Sequence, residues 1–171
     1  MKLGNYVEAR ELINTGDLIA IRATHGGFPA LTRWVTKSPY THTAVALQLA
    51  GRLLIAEMNG GGACLVPLSR YSDSDFDVFA CPVDRIEATM SMFDLLGLDI
   101  GYDFGDLVRI GGHELLGIAL PPRDDDNLVC SALSASIYLH AGWKPAGLPS
   151  IPSPRNVVAA IGAAPIYEVR R

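Results

Sequence analysis

The segment 127–140 constrains the fold most, because it predicts a buried helix that begins beside a cysteine. Two prolines and a run of three aspartates precede it and disfavour regular structure there. Leu133 and Ile137 recur at helical spacing, which indicates a buried face. Asp126 or Asn127 can cap the helix by accepting a hydrogen bond from a free N–H of its first turn. The sequence therefore predicts that Cys130 lies in the first turn.

At this position Cys130 can be a nucleophile. The N-terminus of a helix carries partial positive charge, so a thiolate is favoured there over a thiol. A thiolate is the nucleophilic form, and a nearby base suffices to make it attack a carbonyl group. The alternative is a small core residue, since free cysteines are among the most buried side chains. The helix alone leaves both interpretations open.

Four histidines are candidates for the base, and their positions separate them. His140 lies on the same predicted helix, about 15 Å along the axis from Cys130 at 1.5 Å per residue, which is too far for contact. His25 and His113 adjoin pairs of glycines, and nothing in the sequence fixes them. His42 lies on a predicted strand, where two alanines share its face and leave room for another element. His42 is therefore the preferred candidate.

Glu57 interrupts an otherwise apolar strand, where a charge is costly unless it is paired. A turn through Gln48–Gly51 would pair Leu47 with Arg52. In that register His42 lies opposite Glu57, with Cβ atoms about 4.5–5.5 Å apart. The carboxylate could then orient the imidazole. The alternative is an exposed charge on an edge strand, and a slip of one residue would turn Glu57 to the other face.

Strands are predicted early in the chain and helices late, which is typical of an α+β fold. Residues 1–171 are expected to form a single domain, because neither a repeat nor a low-complexity linker divides them. The predicted strands are Leu18–Arg22, Thr41–Leu47, Arg52–Met58, Ala63–Pro67, Phe76–Val83 and Ile166–Arg170. The predicted helices are Tyr6–Ile13, Pro29–Lys37, Ala88–Leu98, Asp106–Leu120, the Cys130 helix and a short helix from Pro154.

Composition excludes several classes of protein. The net charge of −4 and the lack of basic clusters argue against a nucleic-acid surface. The three cysteines lack zinc-like spacing and are an odd number, so neither a structural zinc site nor a disulfide framework is expected. No metal or other cofactor is expected, since no histidine has a partner at ligand spacing. We find no membrane span and no secretory signal and expect a cytoplasmic protein, for which a phage or viral origin is equally compatible.

Four short motifs follow one another along the chain: Gly16–Ile19, Ser38–Val45, Ile55–Glu57 leading into three glycines, and Leu128–Ser131 opening a helix. In this order they resemble the circularly permuted papain-like hydrolases, the YiiX-like relatives of the NlpC-type cell-wall peptidases. In papain-type order the cysteine helix precedes the histidine strand, whereas here His42 precedes Cys130. The resemblance covers the chain from Gly16 to about Val158.

The resemblance implies an antiparallel sheet or small barrel packed against helices. It also implies that Cys130 is the nucleophile, His42 the general base and acid, and Glu57 the residue that orients His42. Tyr102 and Tyr40 are candidates for contacting substrate or assisting the oxyanion.

The implied function is a cysteine-dependent amidase or peptidase that acts through a thioester on small peptides or cell-wall-derived amides. Ala132 and Thr43 depart from the family's pattern, which leaves the substrate open. One alternative is acyl transfer on lipids or a thioesterase-like activity. Another is a non-enzymatic papain-like module that binds a partner or builds a virion. The reactivity of Cys130 separates the enzymes from the module.

Overall fold

The computed structural model describes residues 1–22, 38–59, 62–97 and 130–170. Within these ranges seven strands and four helices form an α+β fold, as the order of elements predicts. The strands are β1 Lys2–Leu3, β2 Leu18–Arg22, β3 Tyr40–Leu49, β4 Arg52–Asn59, β5 Gly62–Pro67, β6 Phe76–Phe79 and β7 Tyr167–Val169. The helices are α1 Tyr6–Arg10, α2 Arg85–Leu96, α3 Cys130–His140 and α4 Pro154–Ile161, and a 3₁₀ turn spans Leu68–Tyr71.

All seven strands belong to one sheet, in the order β1-β7-β6-β2-β3-β4-β5. Neighbouring strands are antiparallel except β1 and β7, which are parallel. The predicted strands are present with altered ends. β6 ends at Phe79 rather than at Val83, since Pro82 has no N–H to donate to a ladder. The two-residue strand β1 was not predicted, because two residues show no periodicity.

The sheet separates two apolar clusters. The larger one lies between the sheet and helices α2, α3 and α4, and the smaller one lies on the other face, with α1. Leu133 and Ile137 of α3 are completely buried in the larger cluster, as their spacing predicts. Each such side chain contributes about 1.5–3 kcal/mol relative to exposure. Most of α3 is buried, and its alanines and serines let it lie close to the sheet. This packing fixes where Cys130 enters the fold.

Strands β3 and β4 join through a two-residue turn, Ala50–Gly51. Both residues have positive φ, 50° and 74°, which matches the twist of tight hairpins. Leu49 pairs with Arg52 and Leu47 pairs with Leu54. The expected pairing of Leu47 with Arg52 is therefore wrong by two residues.

Pairing between β3 and β4 ends at Val45 and Ala56. Beyond that point β3 continues beside β2, and β4 continues beside β5. The two strands thus diverge, and we call residues 40–44 and 57–59 the fork. Both His42 and Glu57 lie in the fork.

The helix ends follow from their caps. Asp84 accepts hydrogen bonds from the N–H groups of Ile86 and Glu87, so α2 begins before the predicted Ala88. Ser153 and Asn156 form a reciprocal capping box at the start of α4.

None of the described helices has the length and apolar character needed to cross a membrane. The predicted helices 29–37 and 106–120 lie outside the described residues.

Candidate functional site

His42 and Glu57 form a direct contact in the fork, with His42 Nε2 2.9 Å from Glu57 Oε2. If the observed ladder continued, Glu57 would face Ala44 and not His42. The contact forms nevertheless, because a shift of two residues keeps a side chain on the same face of a strand. Diagonal neighbours are also within reach of long side chains. The predicted pairing of the two side chains thus occurs, although the predicted register does not.

Glu57 is a buried carboxylate with its side chain only 2% exposed. Oε2 accepts a hydrogen bond from the Tyr71 hydroxyl at 2.6 Å in addition to its contact with His42. Arg70 Nη1 lies 3.8 Å from Oε1. Burial raises the pKa of Glu57, but the bonds to His42 and Tyr71 outweigh it and lower the pKa below its usual value. Glu57 is therefore ionised at neutral pH.

His42 is held on two sides. Its Nε2 faces Glu57, and its ring stacks on Tyr71 with centroids 5.9 Å apart and planes 23° apart. Burial lowers the pKa of His42, but the hydrogen bonds and charges of Cys130 and Glu57 outweigh it and raise the pKa to about 10. With Nε2 taken by Glu57, Nδ1 is the nitrogen left to meet the thiol. Both partners therefore favour the imidazolium form of His42.

Cys130 is the first residue of α3 and is half-buried. Burial raises the pKa of its thiol, but His42 and the backbone groups of Thr43 and Ser131 outweigh it and lower the pKa. The described structure thus brings Cys130 and His42 together, and each shifts the pKa of the other in the direction that favours a thiolate and an imidazolium. Burial raises the pKa of Cys64 and Cys81 instead. The pKa of Cys130 is therefore shifted in the opposite direction to those of Cys64 and Cys81.

The fork explains how α3 reaches His42. Thr43 has no β4 partner in the described ladder, so the side of β3 that faces β4 is open at this residue. The Thr43 backbone instead stabilises the Cys130 thiolate. The end of α3, the open edge of β3 and the diverging end of β4 meet here. A closed ladder would have filled this space with β4.

The tyrosine candidates have different outcomes. Tyr102 lies outside the described residues. Tyr40 is buried, and its hydroxyl donates to Asp77 Oδ2 at 2.6 Å. Asp77 also binds Arg22 and Arg170. The single hydroxyl proton of Tyr40 is thus already committed to a carboxylate, which leaves none for an oxyanion.

Tyr71 belongs to the site but was not predicted. Its segment, Ser69–Asp75, is a polar loop in the sequence and has no periodic signal. Tyr71 reaches Glu57 because β5 returns antiparallel to β4 and leads into the 3₁₀ turn. Only the path of the chain reveals this contact. His140 does not join the site, because it is exposed at the far end of α3, and His25 and His113 lie outside the described residues.

No model of a known protein family matches the chain, and no curated protein matches it. Among solved structures, it is similar to that of YiiX from Escherichia coli O157:H7, which is described as a metalloprotein. The TM-score is 0.56 and the sequence identity 18%, over 75% of this chain and 66% of that chain. The chain thus matches somewhat less than two thirds of the length of YiiX.

The description of YiiX as a metalloprotein raises the question of a metal site here. In the parts of the chain that the structure describes, no group of three or more His, Cys, Asp or Glu residues could hold a metal ion. His42 Nε2 is already bonded to Glu57, and Tyr71 shares the same carboxylate oxygen. The described residues therefore do not fit a metal centre. The similarity concerns the fold, and the chain has a YiiX-like α+β fold.

Proposed function

We propose that this protein is a cysteine-dependent hydrolase of amides or peptides, in which Cys130 is the nucleophile, His42 the general acid and base, and Glu57 the residue that orients His42. One observation carries the proposal: Cys130 begins α3 beside His42, and the charge and hydrogen bonding of His42 lower the pKa of the Cys130 thiol. A thiolate beside an imidazolium is the activated form of a cysteine nucleophile. The hydrogen bond from His42 to the buried Glu57 supports the orienting role.

The reaction would begin when Cys130 Sγ attacks the substrate carbonyl carbon. The oxygen becomes an oxyanion, and the backbone N–H groups at the start of α3 would stabilise it. The C–N bond then breaks, and His42 gives its proton to the leaving amine. Water attacks the thioester as His42 takes its proton, which releases the acid and restores the thiolate.

The substrate class follows from the resemblance rather than from a cavity. Small peptides and cell-wall-derived amides are the substrates that the permuted papain-like relatives suggest. An acyl-chain substrate would need an apolar channel to the thiol. The described apolar cavity, about 410 Å³, lies between α3 and the loop around Trp143, and neither Cys130 nor His42 lines it. This cavity therefore gives the lipid alternative no support.

The test is the pH dependence of iodoacetamide alkylation at each cysteine, followed by mass spectrometry. Cys64 and Cys81 are internal controls, since burial raises the pKa of both. We expect Cys130 to react well below pH 8.5, the value at which an ordinary thiol is about half ionised. His42→Ala should abolish this advantage. If Cys130 reacts no faster than the two controls in the wild type, the hydrolase proposal is wrong and the non-enzymatic module is favoured.

A hit in that test justifies a screen of amide substrates. Cys130→Ser should then remove turnover, because an alkoxide at this position has no comparable stabilisation. Retention of full activity by Cys130→Ser would contradict the assignment of the nucleophile. Circular dichroism of the variant shows whether a loss of activity reflects a loss of fold.

A further inference from the structure

Tyr71 makes two contacts that converge on one imidazole. Its hydroxyl donates to Glu57 Oε2, the same oxygen that binds His42 Nε2. Its ring also stacks on the His42 ring, with planes 23° apart. The hydroxyl can only donate here, because its partner is a carboxylate. Tyr71 therefore fixes both the carboxylate and the ring that the carboxylate orients.

The partner that Glu57 would have without Tyr71 shows what the hydroxyl does. Arg70 Nη1 lies 3.8 Å from Oε1, the other carboxylate oxygen, and its side chain is 61% exposed. Without Tyr71 the carboxylate would have a mobile surface cation as its main partner besides His42. A cation on such an exposed, flexible side chain restrains the geometry of its partner poorly. The 2.6 Å bond from Tyr71 is the short contact that keeps Oε2 on His42.

The ring restrains the imidazole in a second way. With Nε2 on Glu57 and Nδ1 toward Cys130, His42 has one productive orientation. A rotation of the ring would break both contacts. Tyr71 covers one face of the imidazole and leaves it little room to tilt. Charged groups face the Tyr71–His42 pair from three elements. Glu57 belongs to β4, Arg70 to the 3₁₀ turn and Cys130 to α3.

We propose that Tyr71 is a positioning residue, a fourth member of the site that acts through Glu57 and His42 to keep Cys130 in its reactive form. This inference rests on the proposed function and deepens it. Tyr71 need not touch substrate. Removal of its hydroxyl should lower the fraction of Cys130 that is thiolate, even though Cys130, His42 and Glu57 all remain.

The test compares Tyr71→Phe with the wild type in the same alkylation experiment. The variant keeps the stacked ring and loses only the hydroxyl. We expect alkylation of Cys130 at pH 6 to slow by roughly threefold to tenfold, with the rate at pH 9.5 nearly unchanged, because fewer thiolates form at low pH. A purely structural tyrosine would leave this profile unmoved. An unchanged profile in folded Tyr71→Phe would overturn the proposal.

Tyr138→Phe is the matched control. It also removes one buried hydroxyl, which donates to the Gly16 carbonyl at 2.8 Å and is not part of the site. We expect its Cys130 profile to match that of the wild type. If Tyr138→Phe shifts the profile as much as Tyr71→Phe does, general loosening explains both effects and the proposal fails.

A double variant tests whether Tyr71 acts through Glu57. Glu57→Gln alone should shift the Cys130 profile, and adding Tyr71→Phe should change it little further, because the hydroxyl would have lost its carboxylate acceptor. Additive shifts would show that Tyr71 acts independently, against the proposal.

Wild-type NMR gives a measurement that needs no variant to fold. The ring protons of Tyr71 and His42 should show a nuclear Overhauser effect, and its absence would remove the contact that the proposal requires.

The failures of the two proposals are distinguishable. If Cys130 is unreactive at pH 6 in the wild type, the proposed hydrolase itself is wrong. If Cys130 is reactive and both His42→Ala and Glu57→Gln suppress it while Tyr71→Phe does not, only the role of Tyr71 is wrong.

Discussion

His42 Nε2 and Glu57 Oε2 lie 2.9 Å apart although the strands that carry them have already separated. The contact is made by side chains across the fork and is not enforced by a backbone ladder. Substitutions at either residue should therefore change the chemistry of Cys130 more than they change the sheet.

Glu57→Gln should slow the alkylation of Cys130 at pH 6 by about tenfold, the effect of one pKa unit. The amide keeps the size of the side chain but removes the charge that raises the pKa of His42. A less basic imidazole stabilises the thiolate less. The measurement is the alkylation profile, with the His42 ring followed by ¹⁵N NMR titration. A His42 pKa equal to that of the wild type would contradict the role of Glu57.

The paired charges predict an unusual dependence of stability on pH. In the proposed ion pair the folded chain holds an imidazolium and a thiolate, whereas between about pH 6.5 and 8.5 the unfolded chain holds a neutral histidine and a protonated thiol. Both states then carry one proton on this pair, so the stability it contributes should be constant.

Outside that window the pair should lose stability on both sides. Below pH 6.5 the unfolded histidine gains a proton, so stability falls by about 1.4 kcal/mol per pH unit as the pH decreases. Above pH 8.5 the unfolded thiol loses its proton, and stability falls until His42 itself deprotonates near 10. Urea unfolding of the wild type and of the double variant His42→Ala, Cys130→Ala between pH 5.5 and 10 measures the difference. A steady slope through pH 7.5 would exclude the ion pair.

Tyr40→Phe should lower the free energy of unfolding by about 1–3 kcal/mol, because it removes a hydrogen bond to the buried carboxylate of Asp77. Tyr167→Phe is the matched control, since its hydroxyl has no hydrogen bond to any described residue, and we expect a change near zero. The Cys130 alkylation profile of Tyr40→Phe should equal that of the wild type. A shifted profile would instead give Tyr40 the part in the site that the sequence suggests.

Ala50→Asn should stabilise the protein by about 0.5–1 kcal/mol. Ala50 is exposed with φ of 50°, a left-handed conformation that asparagine adopts more readily. Gly51→Ala is the opposite test: φ is 74° there, so we expect a loss of about 1–2 kcal/mol. Denaturant midpoints measure both. Destabilisation by Ala50→Asn would contradict the two-residue turn and the register it sets.

Several features of the fold and site are predictable because their signals are local. The buried positions of α3 and the place of Cys130 in its first turn follow from apolar spacing. The predicted contact of His42 with Glu57 is robust to an error in register, since a shift of two residues preserves the face of a strand. Because the error in the β3–β4 register was an even number of residues, the prediction still placed His42 and Glu57 on the same face of the sheet.

Other features depend on distant parts of the chain. The bond from Tyr71 to Glu57 arises from the return of β5 and the turn after it, and nothing around Tyr71 in the sequence indicates it. The commitment of the Tyr40 hydroxyl to Asp77 likewise depends on a residue in β6, which lies two strands away in the sheet. Contacts of this kind have no signature in spacing or composition.

The fork also divides the site mechanically. His42 is held by β3 beside β2, whereas Glu57 is held by β4 beside β5 and Tyr71 by the turn that follows β5. A small separation of these two halves would move the Glu57 carboxylate away from the His42 ring without breaking any strand pairing. We therefore expect assembly of the site to be a local equilibrium, distinct from global unfolding and faster than it. A ligand that bridges the two halves would close this separation and make the reactive state the dominant one.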